Sequence, residues 1–261
     1  MKKKFKISVI IPTRNEEKYL SLCLDSLIKQ KYKPFEVIIV DNKSTDRTVE
    51  IVKDYQTKIK NLIITKSKDD LIGAIRQRGF ERASGDILVS ADADSLFPPD
   101  WLLNIVNYFK NHPSVIAIGG PYKFYDEDRL IKILRQILTP IFLFIDLLLS
   151  KGKHHFAACN FAIYHDAFWQ VGGFNPHLGF GEDVDLAVRL RRIGEVKFLK
   201  SLLISTSCRR YQKGIIKGII KESVVSFLIY LKIVFLSNII WPLKEKLRIA
   251  NYTERKYNFK K

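Results

Sequence analysis

The chain has 261 residues, 47% of them hydrophobic and 27% charged, with a formal net charge of +17. This composition excludes a disordered chain and gives enough length for one large domain, or a domain with an appendage. The charge points to an anionic partner: nucleic acid, a membrane surface or a phosphorylated substrate. Three cysteines, Cys23, Cys159 and Cys208, form no Cys-x-x-Cys pair and are odd in number. That argues against a disulfide framework or a structural zinc site. It fits a reducing cytosol and leaves them as small buried or idle side chains.

Residues 1–6 are basic, but the apolar run that follows, 7–11, is closed by Pro12. A signal-peptide core needs about 7–15 apolar residues, so 7–11 reads as a first buried strand. Residues 16–30 carry an apolar stripe at Tyr19, Leu20, Cys23, Leu24, Leu27 and Ile28, a helix. Residues 36–40 are a second strand. Ser44-Thr45-Asp46 supplies cap chemistry for a helix over 47–55. A third strand over 62–65 is followed by a helix over 71–83, with Gly85 as its C-terminal glycine. Strand 86–90, a helix opened by Pro98-Pro99 and running to 110, and strand 115–118 complete the regular part. Beyond it, 154–163 reads as a strand, 165–171 as a short helix and 196–199 as another strand. Residues 182–193 read as an amphipathic helix with Val184, Ala187, Val188 and Leu190 on its apolar side.

Strand and helix alternating in this way predict a Rossmann-like, mostly parallel α/β sheet flanked by helices, with right-handed crossovers. Ligands of such sheets sit beyond the carboxyl ends of the strands. Those ends are 12–16, Asp41-Asn42 and Ala91-Asp92-Ala93-Asp94. Aspartate is a poor strand residue, and alternation sends Asp92 and Asp94 to one side. Two hard oxygen donors so placed can share Mg²⁺ or Mn²⁺, whose remaining positions go to water and phosphate oxygens. The competing reading is a solvated loop ahead of the Pro98-Pro99 helix. His154 and His155 are candidates for a third ligand, against the commoner structural role of lone histidines.

Several segments in order resemble the family 2 inverting glycosyltransferases of the GT-A fold. They are 8–16 (Ser-Val-Ile-Ile-Pro-Thr-Arg-Asn-Glu), 40–46, Arg76 with Gly79, Ala83, Gly85 and Asp86, then Ala91-Asp92-Ala93-Asp94. Gly172-Gly173-Phe174, Glu182-Asp183-Val184-Asp185-Leu186 and Arg189-Leu190 complete the match, over about 7–210. The resemblance implies a nucleotide-sugar donor, UDP- or GDP-linked, lying along Pro12, Arg14, Glu16 and Asp41. Arg76 would reach its diphosphate or base, and Ala93 would sit between the metal ligands Asp92 and Asp94. It also implies that Asp183 is the general base of a single inverting displacement, with a hexose the expected sugar. The chemistry around Asp183 agrees: Gly179-Phe180-Gly181 gives close approach, and a helix start beside Phe180 can tune a carboxylate. The rival account is three acids favouring a helix dipole. The chain departs from the family at Asn42, where a second acid is common, at Gln77 and at Arg14. Cys208-Arg209-Arg210-Tyr211 matches family positions that close over the diphosphate, which gives Arg209 and Arg210 that role. Solvated or lipid-facing arginines are the alternative.

From 205 to 261, thirteen Lys/Arg against three Asp/Glu hold +10 of the net charge, mixed with aliphatic runs at 215–220 and 224–236. Lys232 makes spanning costly, since a span needs about 20 apolar residues. A basic amphipathic helix ending near Trp241 fits lying in an anionic interface, rather than crossing it or packing on the core. Residues 130–149 admit the same reading. The expected organisation is a catalytic domain over 1–210 and an amphipathic helical tail over 211–261. The protein would then be cytoplasmic and peripheral at the inner face of the cell membrane, acting on a lipid-linked hydroxyl or phosphate acceptor. The alternatives are a non-catalytic nucleotide- or glycan-binding relative and a basic membrane- or nucleic-acid-binding protein. Nucleic acid is disfavoured as a partner, because the basic residues sit among aliphatics instead of stacking aromatics.

Overall fold

The computed structural model describes residues 4–129, 131–133, 136–137, 144 and 156–209. His154, His155, Arg210, the basic tail and most of the apolar 130–149 segment lie outside the described residues, as does the expected domain boundary.

Seven strands form one sheet in the order β3-β2-β1-β4-β8-β6-β9. They are β1 (Ile7–Thr13), β2 (Phe35–Asn42), β3 (Leu62–Ser67), β4 (Ile87–Ala91), β6 (Val115–Gly119), β8 (Asn160–Tyr164) and β9 (Glu195–Phe198). β1 pairs in parallel with both β2 and β4, and β2 with β3. β8 runs antiparallel to both β4 and β6, the one reversal in the sheet. The helices are α1 (Leu20–Ile28), α2 (Thr48–Gln56), α3 (Ile72–Arg82), α4 (Trp101–Asn111), α5 (His165–Gln170) and α6 (Glu182–Leu190).

The apolar runs are continuous because both faces of the sheet are covered. Ile7, Val9 and Ile11 point to a core with Leu20, Leu24, Val52, Trp101 and Ile105 of α1, α2 and α4. Ile10 points the other way, to a core with Val40, Phe80, Phe168, Phe174 and Leu186 from the α3, α5 and α6 side. Each fully buried Ile or Leu contributes about 1.5–3 kcal/mol of transfer free energy. α3 lies so close on the sheet that a Cβ on Gly79 would stand 2.5 Å from the Cγ2 methyls of Ile10 and Val40. All three cysteines are buried and free.

Four expectations are corrected. Residues 156–159 are not strand; β8 starts at Asn160, where pairing with Ala91 begins. Helix α1 starts at Leu20, because Glu16 and its neighbours are spent on the preceding loop. Gly85 does not cap α3: Ala83 is already extended, and Gly85 is required because a Cβ there would lie 2.7 Å from the Ser8 nitrogen. In α6 the buried side is Leu186, Ala187 and Leu190 with the ion pair Asp185–Arg189 at 2.7 Å, while Val184 and Val188 are half-exposed.

Three short strands escape sequence reading: β5 (Ser95–Leu96), β7 (Tyr122–Phe124) and β10 (Ile204–Thr206). They form a second sheet, β5-β10-β7, beyond the end of β4. Buried Asn160 ties it to the main sheet: Nδ2 donates to the carbonyls of Leu202 (2.6 Å) and Pro121 (3.1 Å), and Oδ1 accepts from Trp101 Nε1 (3.0 Å).

Candidate functional site

The carboxyl ends of β1, β2 and β4 lie side by side, and the loops that follow β1 and β2 are laced together by polar bonds. Asn15, in the left-handed region at φ 56°, donates its N–H to Ser44 Oγ (3.0 Å) and accepts from Thr45 N (2.8 Å). Glu16 N donates to Thr48 Oγ1 (2.7 Å). The N-cap of α2 is Arg47, with no side-chain cap bond, and not Asp46; Asp46, one residue earlier, accepts from Thr48 N (3.0 Å) and from Glu17 N (3.0 Å). Pro12 is half-buried, Arg14 exposed and Glu16 buried in the first loop.

Asp41 and Asn42 end β2 and are both buried. Asp41 Oδ1 and Asn42 Oδ1 have no hydrogen-bond partner among the described residues. A buried unpaired oxygen costs about 1–3 kcal/mol and asks for a ligand or a water. This is the chemistry that an N–H-bearing base edge would satisfy.

β4 stops at Ala91, so strand alternation does not set the directions of Asp92 and Asp94. A turn does, closed by Ser95 N donating to the Asp92 carbonyl (3.1 Å), with Ala93 buried between the two acids. Asp92 Oδ1 accepts from Arg76 Nη2 (2.6 Å). Asp94 accepts from Thr206 Oγ1 (3.2 Å) and pairs with Arg209 Nε (3.0 Å). Burial and then the charge of Asp92 push the Asp94 carboxyl above its ordinary value. Glu16 is raised too, chiefly by burial, with Arg209 opposing and Asp94 and Asp92 adding to the rise. Three acids therefore feel one another here, and Glu16 Oε2 is buried with no partner among the described residues.

Among the described residues no three His, Cys, Asp or Glu side chains stand in ligating array. The donor set nevertheless fits a hard divalent ion in type. Mg²⁺ or Mn²⁺ is commonly held by one or two carboxylates, with substrate phosphates and water completing the shell. Asp92 and Asp94 are such a pair, and their mutual repulsion is what a cation relieves.

Arg76, buried on α3, donates through all three of its nitrogens: Nη2 to Asp92, Nη1 to Ser90 Oγ (2.9 Å) and Nε to Glu182 Oε1 (3.1 Å). Burial opposes its charge, but Asp92 and Glu182 more than reverse that, so the guanidinium stays charged. Asp183 follows at the start of α6, after Gly181 in the left-handed region at φ 73°. Its Oδ2 accepts from Ala158 N (2.8 Å) and its Oδ1 from Val184 N (2.8 Å). Burial and the adjacent Glu182 push its carboxyl up to about 7, against the pull of Arg76 and the two N–H donors. The structure thus joins Glu16 and Asp94 through Arg209, and Asp92 and Glu182 through Arg76, with Asp183 next to Glu182 in the chain.

Sequence reading missed Ser90, Thr206, Ser207 and Asp126. Asp126 Oδ2 accepts from Ser207 Oγ (2.5 Å) and Oδ1 from Cys208 N (2.6 Å), which fixes the segment bearing Arg209. No motif marks that aspartate; only the pairing of β7 with β10 makes it a neighbour. Among the described residues no helix is long and apolar enough to cross a membrane.

The chain resembles solved structures in fold. It matches *Staphylococcus aureus* TarS 1-349 in complex with UDP-GlcNAc at a TM-score of 0.61 and 20% identity, over 77% of this chain and 58% of that one. It matches the mannosyltransferase PcManGT from *Pyrobaculum calidifontis*, in complex with GDP-Man and Mn²⁺, at 0.62 and 20%, over 98% and 76%. These likenesses identify a GT-A fold. A *Methanococcus voltae* dolichyl N-acetyl-alpha-D-glucosaminyl phosphate 3-beta-D-2,3-diacetamido-2,3-dideoxy-beta-D-glucuronosyltransferase is 33% identical over 145 residues, 52% of this chain. The match spans 45% of that relative, less than half its length. The family described as glycosyl transferase family 2 matches residues 8–172, well over half of the sequence, and the chain belongs to that family.

Proposed function

We propose that the protein is an inverting, metal-assisted glycosyltransferase that moves a hexose from a UDP- or GDP-sugar to the hydroxyl or phosphate of a lipid-linked acceptor. The observation that carries this reading is the unbroken polar chain from Asp92 through Arg76 to Glu182, with the Asp183 carboxylate beside it held by Ala158 N and Val184 N.

In this mechanism Asp41 and Asn42 present their unpaired oxygens to the base, and Arg14 and Pro12 line the nucleotide. Asp92 and Asp94 would hold Mg²⁺ or Mn²⁺, which when bound neutralises charge on the departing diphosphate. Asp183 takes the proton from the acceptor hydroxyl. The acceptor oxygen forms its bond to the anomeric carbon as the bond from that carbon to the diphosphate oxygen breaks on the opposite face. The electron pair leaves with the nucleoside diphosphate, and one displacement inverts the configuration. Ala158 N and Val184 N fix the Asp183 carboxylate in place, and Glu182 raises its basicity. Arg76 sets the position of Asp92 and the Glu182-Asp183 pair together.

A lipid-linked acceptor at the inner membrane face is supported by the basic, aliphatic 205–261 segment and by the dolichyl phosphate named for the *M. voltae* relative. The test is a panel of nucleotide sugars, with and without Mn²⁺, followed by transfer to polyprenyl-phosphate acceptors in anionic vesicles. Asp183→Asn is expected to bind donor normally and to transfer nothing; normal transfer by Asp183→Asn would remove the base assignment. Transfer confined to water-soluble acceptors, with the protein failing to float with the vesicles, would remove the membrane one.

A further inference from the structure

The segment 206–209 is a strap that joins the turn after β4 to the loop after β1. Thr206 is fixed by β10 pairing and by Ser95 Oγ (3.1 Å), and Ser207 and Cys208 by Asp126. The strap delivers one side chain into the site. Arg209 Nη2 reaches Glu16 Oε1 (2.5 Å), its Nε reaches Asp94 Oδ2 (3.0 Å), and its guanidinium lies 4.6 Å over the Tyr19 ring. With Thr206 on Oδ1, both oxygens of Asp94 are engaged. Glu16 keeps one buried oxygen, Oε2, unpaired among the described residues.

We propose that Arg209 is a resident cation of this acidic site: held there by the Asp126-anchored strap, it occupies the carboxylate oxygens of Asp94 and Glu16 and must leave before a divalent ion can take them. The inference rests on the reading of Asp92 and Asp94 as the metal pair. Its physics is competition. Asp92 is already paired with Arg76, so the Arg209 guanidinium faces Glu16 and Asp94, and a single positive charge undercompensates two acids. A divalent ion compensates better but needs oxygens that Arg209 already holds. The side chain is about one third exposed, so it can swing outward without disturbing β10. Once out, its planar fork is free for phosphate oxygens, the anion for which arginine geometry is suited. Metal loading would thereby arm the strap for the nucleotide diphosphate, and Asp126 is the positioning residue that sets how strongly Arg209 competes.

The test titrates MnCl₂ alone into the full chain and follows free Mn²⁺ by electron paramagnetic resonance. Arg209→Gln is expected to bind Mn²⁺ about tenfold more tightly than wild type, within the ~5–150-fold range of ordinary site coupling. Asp126→Asn should move the same way by less, because the strap is loosened but the charge remains. Arg209→Lys, which keeps the charge and loses the fork, covers the case in which the glutamine variant fails to fold. It should fall between wild type and the tenfold gain. Without metal, Arg209→Gln should melt lower than wild type and recover more on adding Mn²⁺. Unchanged or weaker Mn²⁺ binding in Arg209→Gln or Arg209→Lys overturns the proposal while leaving the metal pair intact. No Mn²⁺ binding by any variant overturns both, and transfer measured in EDTA then shows whether glycosyl transfer itself survives.

Discussion

Arg76 and Asp92 meet at 2.6 Å, and the same guanidinium reaches Glu182 at 3.1 Å. One buried side chain on α3 therefore fixes the turn after β4 against the first turn of α6. Those two places carry the candidate metal pair and the candidate base. The sheet holds them at a common end; Arg76 holds them in register.

Removing that link should be costly in two separable ways. Arg76→Gln leaves Glu182 buried without its cation, and breaking a buried pair costs about 3–5 kcal/mol. At about 2–4 °C per kcal/mol for a chain of this size class, the melting temperature should fall by roughly 6–20 °C. Arg76→Lys keeps the charge but cannot reach three partners. It should retain most of the stability and lose at least about tenfold in kcat with KM for donor little changed. Calorimetry and steady-state kinetics on the two variants check this, and a Lys variant with wild-type kcat would show that the three-way geometry is dispensable.

Gly79 sets how closely α3, and so Arg76, approaches the sheet. Gly79→Ala would drive a Cβ against the branch methyls of Ile10 and Val40, which cannot swing aside as a flexible side-chain tip can. Overpacking of this kind costs about 1–3 kcal/mol. The variant should melt lower and lose turnover together, because the whole helix must lift. The double change Gly79→Ala with Val40→Ala should recover part of the melting temperature.

Much of this arrangement was legible in the sequence because it is written in long signals. Continuous apolar runs mark β1, β2 and β4, and strand-end polar residues mark the candidate site. What was illegible is short or non-local. β5, β7 and β10 are two or three residues each, below any periodicity. Asp126 lies in an ordinary acidic loop, and only strand pairing brings it to Ser207 and Cys208. Asp185 and Arg189 look like a solvated i,i+4 pair, yet they are buried together, with Arg189 Nη1 on the Val171 carbonyl (2.7 Å). Periodicity alone reads such a helix face as solvent-facing. The environment of Asp183 is equally non-local, since Ala158 N comes from 25 residues away.

The unpaired oxygens of Asp41 and Asn42 predict a trade between stability and binding. Asp41→Leu replaces a buried, unpaired carboxylate oxygen with an apolar group of similar size. The variant should melt at the wild-type temperature or above it, by up to about 1–3 kcal/mol of relieved desolvation. Nucleotide binding should weaken by at least about tenfold in UDP and GDP titrations. A less stable variant with unaltered nucleotide affinity would mean that Asp41 serves the fold instead of the ligand.

Asp183 gives the pH dependence. A base must be deprotonated to accept the acceptor's proton, and this carboxyl is pushed up to about 7, first by burial and then by Glu182. Transfer should therefore rise with pH through about 7 and level off above it, whereas an ordinary aspartate would be fully active by about pH 5. The stability sign runs the other way. The folded protein binds this proton more tightly than the unfolded chain does, so the contribution of Asp183 is fully present at low pH and is lost as pH rises through about 7. Asp183→Asn removes both effects at once: it should transfer nothing, and its melting temperature should not show the decline that wild type shows between about pH 4 and 7. Glu182→Gln separates the causes. With the neighbouring charge gone but burial kept, the acid limb of the rate profile should move to lower pH while transfer persists above it. A limb that stays at about 7 in Glu182→Gln would assign the whole shift to burial, and a profile already flat below pH 6 in wild type would remove Asp183 as the group that titrates in the rate.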